Sequence, residues 1–287
     1  MEALAISVRF LLYLDLMALF GLGAFALHAL RRDEWVSGAV VPFRTLFRLT
    51  AGLGLGLSLL GLGVLVASLG GTGLLAPDRE VLGAVLFGMS GGTAWLVRVA
   101  ALAVVLLHGR GGLPLGGVAL ASLAWGGHGA AGSWLQLGAD IAHLLAAGIW
   151  IGALIAMVWL AWRPREAADL WRLHRVLRGF SGIGTAVVGV LIVTGIVNLI
   201  GVTGGALPGV LYGSLILAKV ALFGLMLGLA AANRWRLVPG FERAMAEGDA
   251  GRALGRLRAS LAVEAGIGAS ILLIVGWVGT LDPFGLG

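Results

Sequence analysis

Residues 134–162 read WLQLGADIAHLLAAGIWIGALIAMVWLAW, and this stretch decides the fold class of the chain. Tryptophan stands at both ends, and only Asp140 and His143 between them carry an ionisable side chain. A helix that crosses the hydrocarbon core of a bilayer needs about 20 mostly apolar residues, and tryptophan is enriched at both membrane interfaces. The stretch therefore predicts a membrane-spanning helix with two ionisable groups in its first half.

Comparable apolar runs fill the rest of the chain. Of its 287 residues 59% are hydrophobic and only 12% are charged, about half the charged share of a soluble domain. The runs predict eight spans, at about 4–30, 49–69, 81–107, 113–127, 134–162, 176–200, 208–232 and 257–281. The fourth run is the weakest, because glycines crowd its end. We therefore expect an all-α, polytopic helical bundle in which residues 1–287 form one integral membrane domain.

Arginine predicts how the bundle is oriented. Nearly all arginines between spans fall in the first, third, fifth and seventh connections, whereas Arg79 stands alone on the opposite side. Basic connections stay on the cytoplasmic side of a membrane. Both termini and the remaining connections should then face outward, which in a bacterium places the chain in the inner membrane with those parts in the periplasm.

The two halves of the chain share short patterns. Arg44–Arg48 precedes span 2 much as Arg175–Arg178 precedes span 6, and Val85–Gly88 in span 3 is similar to Val210–Gly213 in span 7. Four spans per half would give both halves the same orientation, as in a parallel repeat. Chance identity of so few residues is the alternative.

Composition also excludes several functions. The chain has no cysteine, which excludes disulfides, thiolate metal sites, iron–sulfur clusters and covalent haem attachment. The formal charge is +6, but the arginines lie between apolar runs, so orientation in the membrane explains them better than nucleic acid does. No phosphate-binding Gly-x-x-x-x-Gly-Lys-Ser/Thr pattern is present, and no motif indicates an enzyme.

Polar residues around the start of span 5 are candidates for metal binding. His128 lies among glycines in the preceding connection, and Asp140 and His143 are one helical turn apart on one face. Imidazole and carboxylate ligands suit Cu(II) or Zn(II), whereas a thioether favours Cu(I). A glycine-rich loop would let His128 fold back over Asp140 and His143. The structural alternative is that these residues cap the helix and anchor it at the interface. The face continues inward through Ala147, Trp150, Leu154 and Met157.

Several separated motifs together resemble the copper-resistance protein D (CopD) family. They are Asp140–Gly152, Phe180-Ser181, Thr194-Gly195 with Asn198, Tyr212-Gly213 with Lys219, Asn233-Arg234 before Pro239, and Glu264. The resemblance covers residues 127–283 best and implies movement of copper across the bacterial inner membrane, with copper bound at His128, Asp140 and His143. It also implies a small periplasmic copper-binding partner of the CopC type, which we expect to be a separate protein.

Two further sets of residues lie inside the predicted spans. One is the methionines near mid-span, which either relay Cu(I) or fill apolar gaps: Met17, Met89, Met157 and Met226. The other is a polar cluster of Asp15, Arg98, Lys219 and Glu264, with Asn198. A charge at such depth costs roughly 2.5–3.5 kcal/mol, so we expect pairing, most simply of Lys219 with Glu264. The cluster then either fixes the bundle or conducts protons or cations.

Two other functions remain open from the sequence. A b-type haem protein would need paired histidines, and His128 with His143, or His28 with His108 or His174, would supply them. His28 and His108 are also candidates for inward copper release, with neutral interfacial histidines as the simpler interpretation. A membrane scaffold that delivers copper to a partner would use the same outward site without transport. We expect copper transport, favoured inward by an inside-negative potential.

Overall fold

The computed structural model describes residues 1–38, 40–74, 76–125, 133–163 and 166–284. No strand occurs in this part of the chain, which confirms the all-α class. The helices are α1 (Glu2–Ala29), α2 (Arg32–Ser37), α3 (Phe43–Gly70), α4 (Arg79–Gly83), α5 (Ser90–His108), α6 (Pro114–Trp125), α7 (Trp134–Trp162), α8 (Ala167–Thr203), α9 (Val210–Ala232), α10 (Val238–Ala246) and α11 (Gly251–Val278). Two π-helical turns, Ala84–Gly88 and Asn233–Leu237, lie between them.

Seven of the described helices are long and apolar enough to cross a membrane, so the protein is a multi-pass membrane protein. The predicted count of eight is not confirmed. Helix α6, in the fourth predicted span, has 12 residues, which at 1.5 Å per residue is about 18 Å. A bilayer core is about 30 Å thick, so α6 alone does not cross it.

The prediction of one helix over the third span, residues 81–107, was wrong. A π-helical turn follows α4, and Met89 then adopts an extended conformation before α5 begins. The turn ends at Gly88 and the chain continues through Gly91 and Gly92, residues with low helix propensity. At Gly92 a Cβ atom would collide with the carbonyl group of Leu86. The break therefore depends on glycines, which a hydropathy pattern does not distinguish from other apolar residues.

Helices α1 and α7 form the centre of the bundle. Helix α1 is the most enclosed of the apolar helices, and it approaches α7 where Gly21 meets Gly148 and Gly152. A Cβ atom on Gly21 would lie 2.8 Å from the Cα atom of Gly152. Small residues let helix backbones pack closely inside a membrane, where no hydrophobic force brings them together.

The remaining long helices surround this centre in two groups. Helices α3, α5 and α6 pack on one side, with α3 and α6 against α1, while α8 packs on α7 and α9 packs on α11. Helices α8 and α9 make little direct contact although they follow each other in the chain. They leave a crevice with α7 beside it.

The proposed parallel repeat is not confirmed, because its matched segments differ in structure. Residues 85–88 lie in a π-helical turn, whereas Val210–Gly213 begins a regular α-helix.

The arginine-bearing connections lie together at one end of the bundle, which we call the basic end. Glu34 of α2 binds Arg172 and Arg175 of α8. The guanidinium group of Arg258 donates to the last turn of α7, at the carbonyl oxygen of Ala161, across 2.8 Å. At the opposite end the N–H of Gly209 donates to the carbonyl oxygen of Pro283. The arrangement groups the connections as the charge pattern predicts.

Candidate functional site

The side chain of His143 points from α7 towards α8. Its Nδ1 atom lies 2.9 Å from the Oγ1 atom of Thr194, and a Cβ atom on Gly195 would lie 3.6 Å from the His143 Cε1 atom. At 1.5 Å per residue, His143 lies about 13 Å from the start of α7, and Thr194 lies about 13 Å from the end of α8. The absence of a side chain at Gly195 leaves the space that the imidazole ring occupies.

The hydrogen-bond geometry around His143 favours one tautomer of its ring. The Thr194 hydroxyl donates its hydrogen to the carbonyl oxygen of Val190 across 2.6 Å. The Oγ1 atom can then only accept from His143, so the network assigns the ring hydrogen to Nδ1. The Nε2 atom keeps its lone pair, which is the form of histidine that binds a metal ion.

Charged and polar groups lie around His143 on three helices. Lys219 of α9 interacts electrostatically with both Asp140 and His143. Asn198 lies one turn beyond Thr194 on α8, and its Oδ1 atom is buried with no hydrogen-bond partner. We call Asp140, His143, Thr194, Asn198 and Lys219 the His143 site.

The His143 site combines an imidazole nitrogen, a carboxylate and a carbonyl oxygen, all ligands that a cation accepts. The ammonium group of Lys219 opposes a cation and stabilises the carboxylate of Asp140 instead. The third predicted ligand, His128, lies outside the described residues. Within the described ranges no group of three or more His, Asp or Glu residues is close enough to hold a metal ion. The predicted three-ligand set thus remains a prediction.

A cavity of about 220 Å³ extends from the middle of the bundle towards the basic end. Residues of α7, α8, α9, α11 and the second π-helical turn line it. Four of its lining side chains are almost completely buried, with exposed fractions of 1–4%: Trp150, Met157, Leu261 and Glu264. We call this space the Glu264 cavity. It lies in the crevice between α8 and α9, further along the face of α7 that begins with Asp140 and His143.

The carboxylate of Glu264 belongs to a polar network rather than to an ion pair. It accepts a hydrogen bond from the Asn233 side-chain amide across 3.0 Å, and the Asn233 Oδ1 atom accepts one from Ser260 across 2.6 Å. The expected pair of Lys219 and Glu264 is wrong, because no ion pair of the described residues joins them. Lys219 faces α7 instead, where its electrostatic partner is Asp140.

Asp15 and Arg98 lie in the N-terminal half of the bundle. The guanidinium group of Arg98 donates to the hydroxyl oxygens of Ser58 and Ser122, across 3.2 and 3.5 Å. The Oδ2 atom of Asp15 is buried without a hydrogen-bond partner, next to the backbone of Gly54. These partners of Asp15 and Arg98 belong to α3 and α6, whereas the partners described above for Lys219 and Glu264 belong to α7 and the second π-helical turn. The predicted cluster of all four ionisable groups remains a prediction.

The four predicted relay methionines do not share one environment. Met17, Met157 and Met226 are buried, with exposed fractions of 2–4%, whereas Met89 stands at the break before α5 and is 51% exposed. Met157 alone among them lines the Glu264 cavity.

The remaining histidines have local partners near the basic end. His28 contacts the carbonyl oxygen of Ala24, and His108 that of Val104. His174 lies 3.4 Å from the carboxylate of Glu242.

Sequence reasoning did not identify Ser260, and it treated Thr194 and Asn233 as motif residues without assigning partners. A signal for Thr194 exists, because Thr194 and Asn198 are spaced to share one face of a helix. The contact of Ser260 with Asn233 offers no comparable signal, since it depends on how α11 rotates against the π-helical turn.

Comparison with known proteins extends these observations. Residues 1–137 match the family model "Copper resistance protein D-like, N-terminal domain", and residues 174–278 match "Copper resistance protein D". Copper resistance protein D of Pseudomonas syringae pv. tomato is 42% identical over 306 aligned residues, which cover 98% of this chain and 97% of that protein. Inner membrane protein YebZ of Escherichia coli is 34% identical over 152 residues, which cover 50% of this chain and 47% of that protein.

No solved structure matches the chain. The two family models together cover both halves of the sequence, and the Pseudomonas relative aligns along almost its whole length. The resemblance found in the motifs is thereby confirmed. The chain belongs to the copper resistance protein D family, whose name denotes a role in copper resistance.

Proposed function

We propose that this protein binds copper at the periplasmic face of a bacterial inner membrane and transports it across that membrane. The His143 site is the proposed entry point, with His128 as a third protein ligand beside Asp140 and His143. The observation that carries the proposal is the hydrogen bond between Thr194 and His143, because it leaves the Nε2 lone pair of the imidazole free for a metal ion.

Lys219 determines how strongly the site holds its ion. Its ammonium group competes with copper for the carboxylate of Asp140 and repels a cation at close range. When copper enters, the carboxylate of Asp140 therefore exchanges its interaction with Lys219 for one with the copper ion. A site of this kind releases its cargo more readily than a site built only of ligands, as a transport site requires.

The crevice between α8 and α9 provides a route inward from this site. The α7 face that carries Asp140 and His143 continues to Trp150 and Met157, which line the Glu264 cavity. We propose import, because an inside-negative potential draws a cation inward by about 2.3 kcal/mol per charge for each 100 mV. The methionines at positions 17, 89, 157 and 226 stay candidates for a relay, and Met157 is the best placed.

Copper would reach the outward face on another protein. We propose a separate periplasmic copper carrier of the CopC type as that partner. The arginines of the basic end would then face the anionic inner leaflet, which attracts basic segments.

Copper uptake into proteoliposomes tests the proposal. Wild type, His143→Ala and Asp140→Ala are compared with Glu80→Ala, which removes an exposed carboxylate at the start of α4. We expect uptake to fall at least tenfold in the first two variants and to stay unchanged in the third. Equal uptake in all four proteins would contradict the assignment of the site.

The same samples distinguish the alternatives. Copper binding that depends on His143 without any passage into the liposomes would indicate a scaffold that delivers copper to a partner. A Soret band in the absorption spectrum of the purified protein would indicate a haem protein instead.

A further inference from the structure

The Glu264 cavity contains a buried acid without a cationic partner. Glu264 is 4% exposed at the middle of α11, and no ion pair among the described residues involves it. The nearest basic residue of the lining, Arg234, donates to Thr185 of α8 across 3.0 Å. A carboxylate inside a membrane protein needs either a proton or a cation.

Neighbouring groups hold this carboxylate in one orientation. Asn233 donates to it and is itself fixed by Ser260. The indole N–H of Trp150 lies near the same carboxylate but outside hydrogen-bond geometry. Asn233 begins the π-helical turn, a feature that often marks a functional position in a helix. The carboxylate of Glu264 is thus held at the wall of the cavity and, within the described part of the chain, is not one half of an ion pair with a neighbouring helix.

Met157 supplies a second ligand to the same volume. Its side chain is 4% exposed and lines the cavity from α7, as Glu264 does from α11. Thioether sulfur is a soft ligand that selects Cu(I) among biological copper and zinc ions. One thioether and one carboxylate would form a neutral complex with a monovalent ion, whereas a divalent ion would keep a net positive charge in a medium of low dielectric constant.

We propose that the Glu264 cavity is a second copper site within the membrane, where the Met157 thioether and the Glu264 carboxylate bind Cu(I). Asn233 is a positioning residue that orients the carboxylate. The inference rests on the proposed function for the identity of the ion, but it uses residues outside the His143 site. The ion enters the His143 site already as Cu(I), which imidazole also binds, so no electron transfer takes place in the protein.

X-ray absorption at the copper edge tests this site, because the His143 site contains no sulfur. The probe is Cu(I), added anaerobically to purified full-length protein in detergent, with a chromophoric Cu(I) chelator as competitor. The background is His143→Ala, which removes the first site. We expect this variant to retain one copper ion with a sulfur neighbour at bonding distance.

Substitutions in that background assign the ligands. Met157→Leu should remove the sulfur neighbour and weaken Cu(I) retention at least tenfold, and Glu264→Gln should weaken retention to a similar extent while the sulfur neighbour persists. The control is Met245→Leu, a half-buried methionine of α10 that does not line the cavity. Met→Leu nearly conserves volume, and thermal unfolding of each variant checks that it is folded.

Two results would overturn the inference: bound copper without a sulfur neighbour, or equal effects of Met157→Leu and Met245→Leu. Failure of the first site has a different signature, since wild type and His143→Ala would then bind the same number of copper ions.

Discussion

The Nδ1 atom of His143 on α7 lies 2.9 Å from the Oγ1 atom of Thr194 on α8. This contact joins two helices that are consecutive in the chain. The Thr194 hydroxyl receives the ring hydrogen because its own hydrogen is used by the backbone of α8. The contact therefore orients the ring and favours the tautomer with its hydrogen on Nδ1.

Thr194→Val should lower copper affinity at the His143 site by about 10–100-fold, the range typical for loss of a residue that orients a metal ligand. Valine keeps the shape of threonine but cannot accept the ring hydrogen, so the imidazole loses its fixed tautomer. Competitive titration with a copper chelator measures the effect. The control is Thr50→Val, because the Thr50 hydroxyl bonds only within its own helix. Equal affinities of the two variants would show that the contact does not orient the ring.

Gly152→Ala should destabilise the bundle by about 1–3 kcal/mol, the usual cost of overpacking. The added methyl group would collide with the backbone of Gly21, which cannot move without separating α1 from α7. A fall in the thermal unfolding midpoint in detergent would record the loss. Gly224→Ala is the matched control, since a Cβ atom at Gly224 meets no atom within 4 Å. The close helix contact would be doubtful if both variants melted together.

Ser58→Ala should cost about 1–3 kcal/mol, because it leaves the half-buried guanidinium group of Arg98 without one of its hydrogen-bond acceptors. The nearby Trp95 is unaffected, since it donates to the backbone carbonyl of Ser58. Unfolding in detergent measures the difference, with Ser7→Ala as the control because Ser7 is exposed. An unchanged midpoint for Ser58→Ala would mean that Ser122 or water satisfies the charge.

Glu34 should make stability depend on pH. Burial of the carboxyl group favours its protonated form, but hydrogen bonds from the Arg31 backbone and from Arg172 and Arg175 outweigh this effect and hold the pKa of Glu34 below its ordinary value. A lowered pKa in the folded state adds stability above the ordinary pKa of about 4.3. That stability is lost as the pH falls through the lowered value.

Glu34→Gln should therefore lower the unfolding midpoint at pH 7, by the equivalent of roughly 1–2 kcal/mol, and flatten its dependence on pH between neutral and acid. Glu80→Gln is the control at an exposed acid. The same acid dependence in wild type and Glu34→Gln would place the sensitive group elsewhere.

Much of the fold could be predicted, because the hydropathy of a segment shows whether it is apolar enough to cross the hydrocarbon core of a bilayer. The span from Trp134 to Trp162 has its predicted bounds in the structure. The failure at Met89 has a physical origin: the small residues on both sides of it lower helix propensity, but only tertiary packing decides whether the helix continues or breaks. Helix α6, by contrast, lies within the fourth predicted run at 113–127, which the glycines at its end already made the weakest.

The site was predictable in part. Spacing along one helix places Asp140 and His143 on a shared face, and family resemblance indicates copper. Contacts between helices depend on rotations that composition does not encode, so Lys219 was assigned to Glu264 although its electrostatic partner is Asp140. Pairing ionisable residues of consecutive helices also fails for Arg98, which hydrogen-bonds to hydroxyl groups, and for Glu264, which an amide orients.

Helix α7 meets α1 through glycine on one side and holds His143 against α8 on the other. The two family models end at residue 137 and resume at residue 174, so most of α7 belongs to neither. A chimaera of two relatives joined on either side of this helix would sever one of its two interfaces. The halves are consequently not interchangeable, because each must fit its own face of α7.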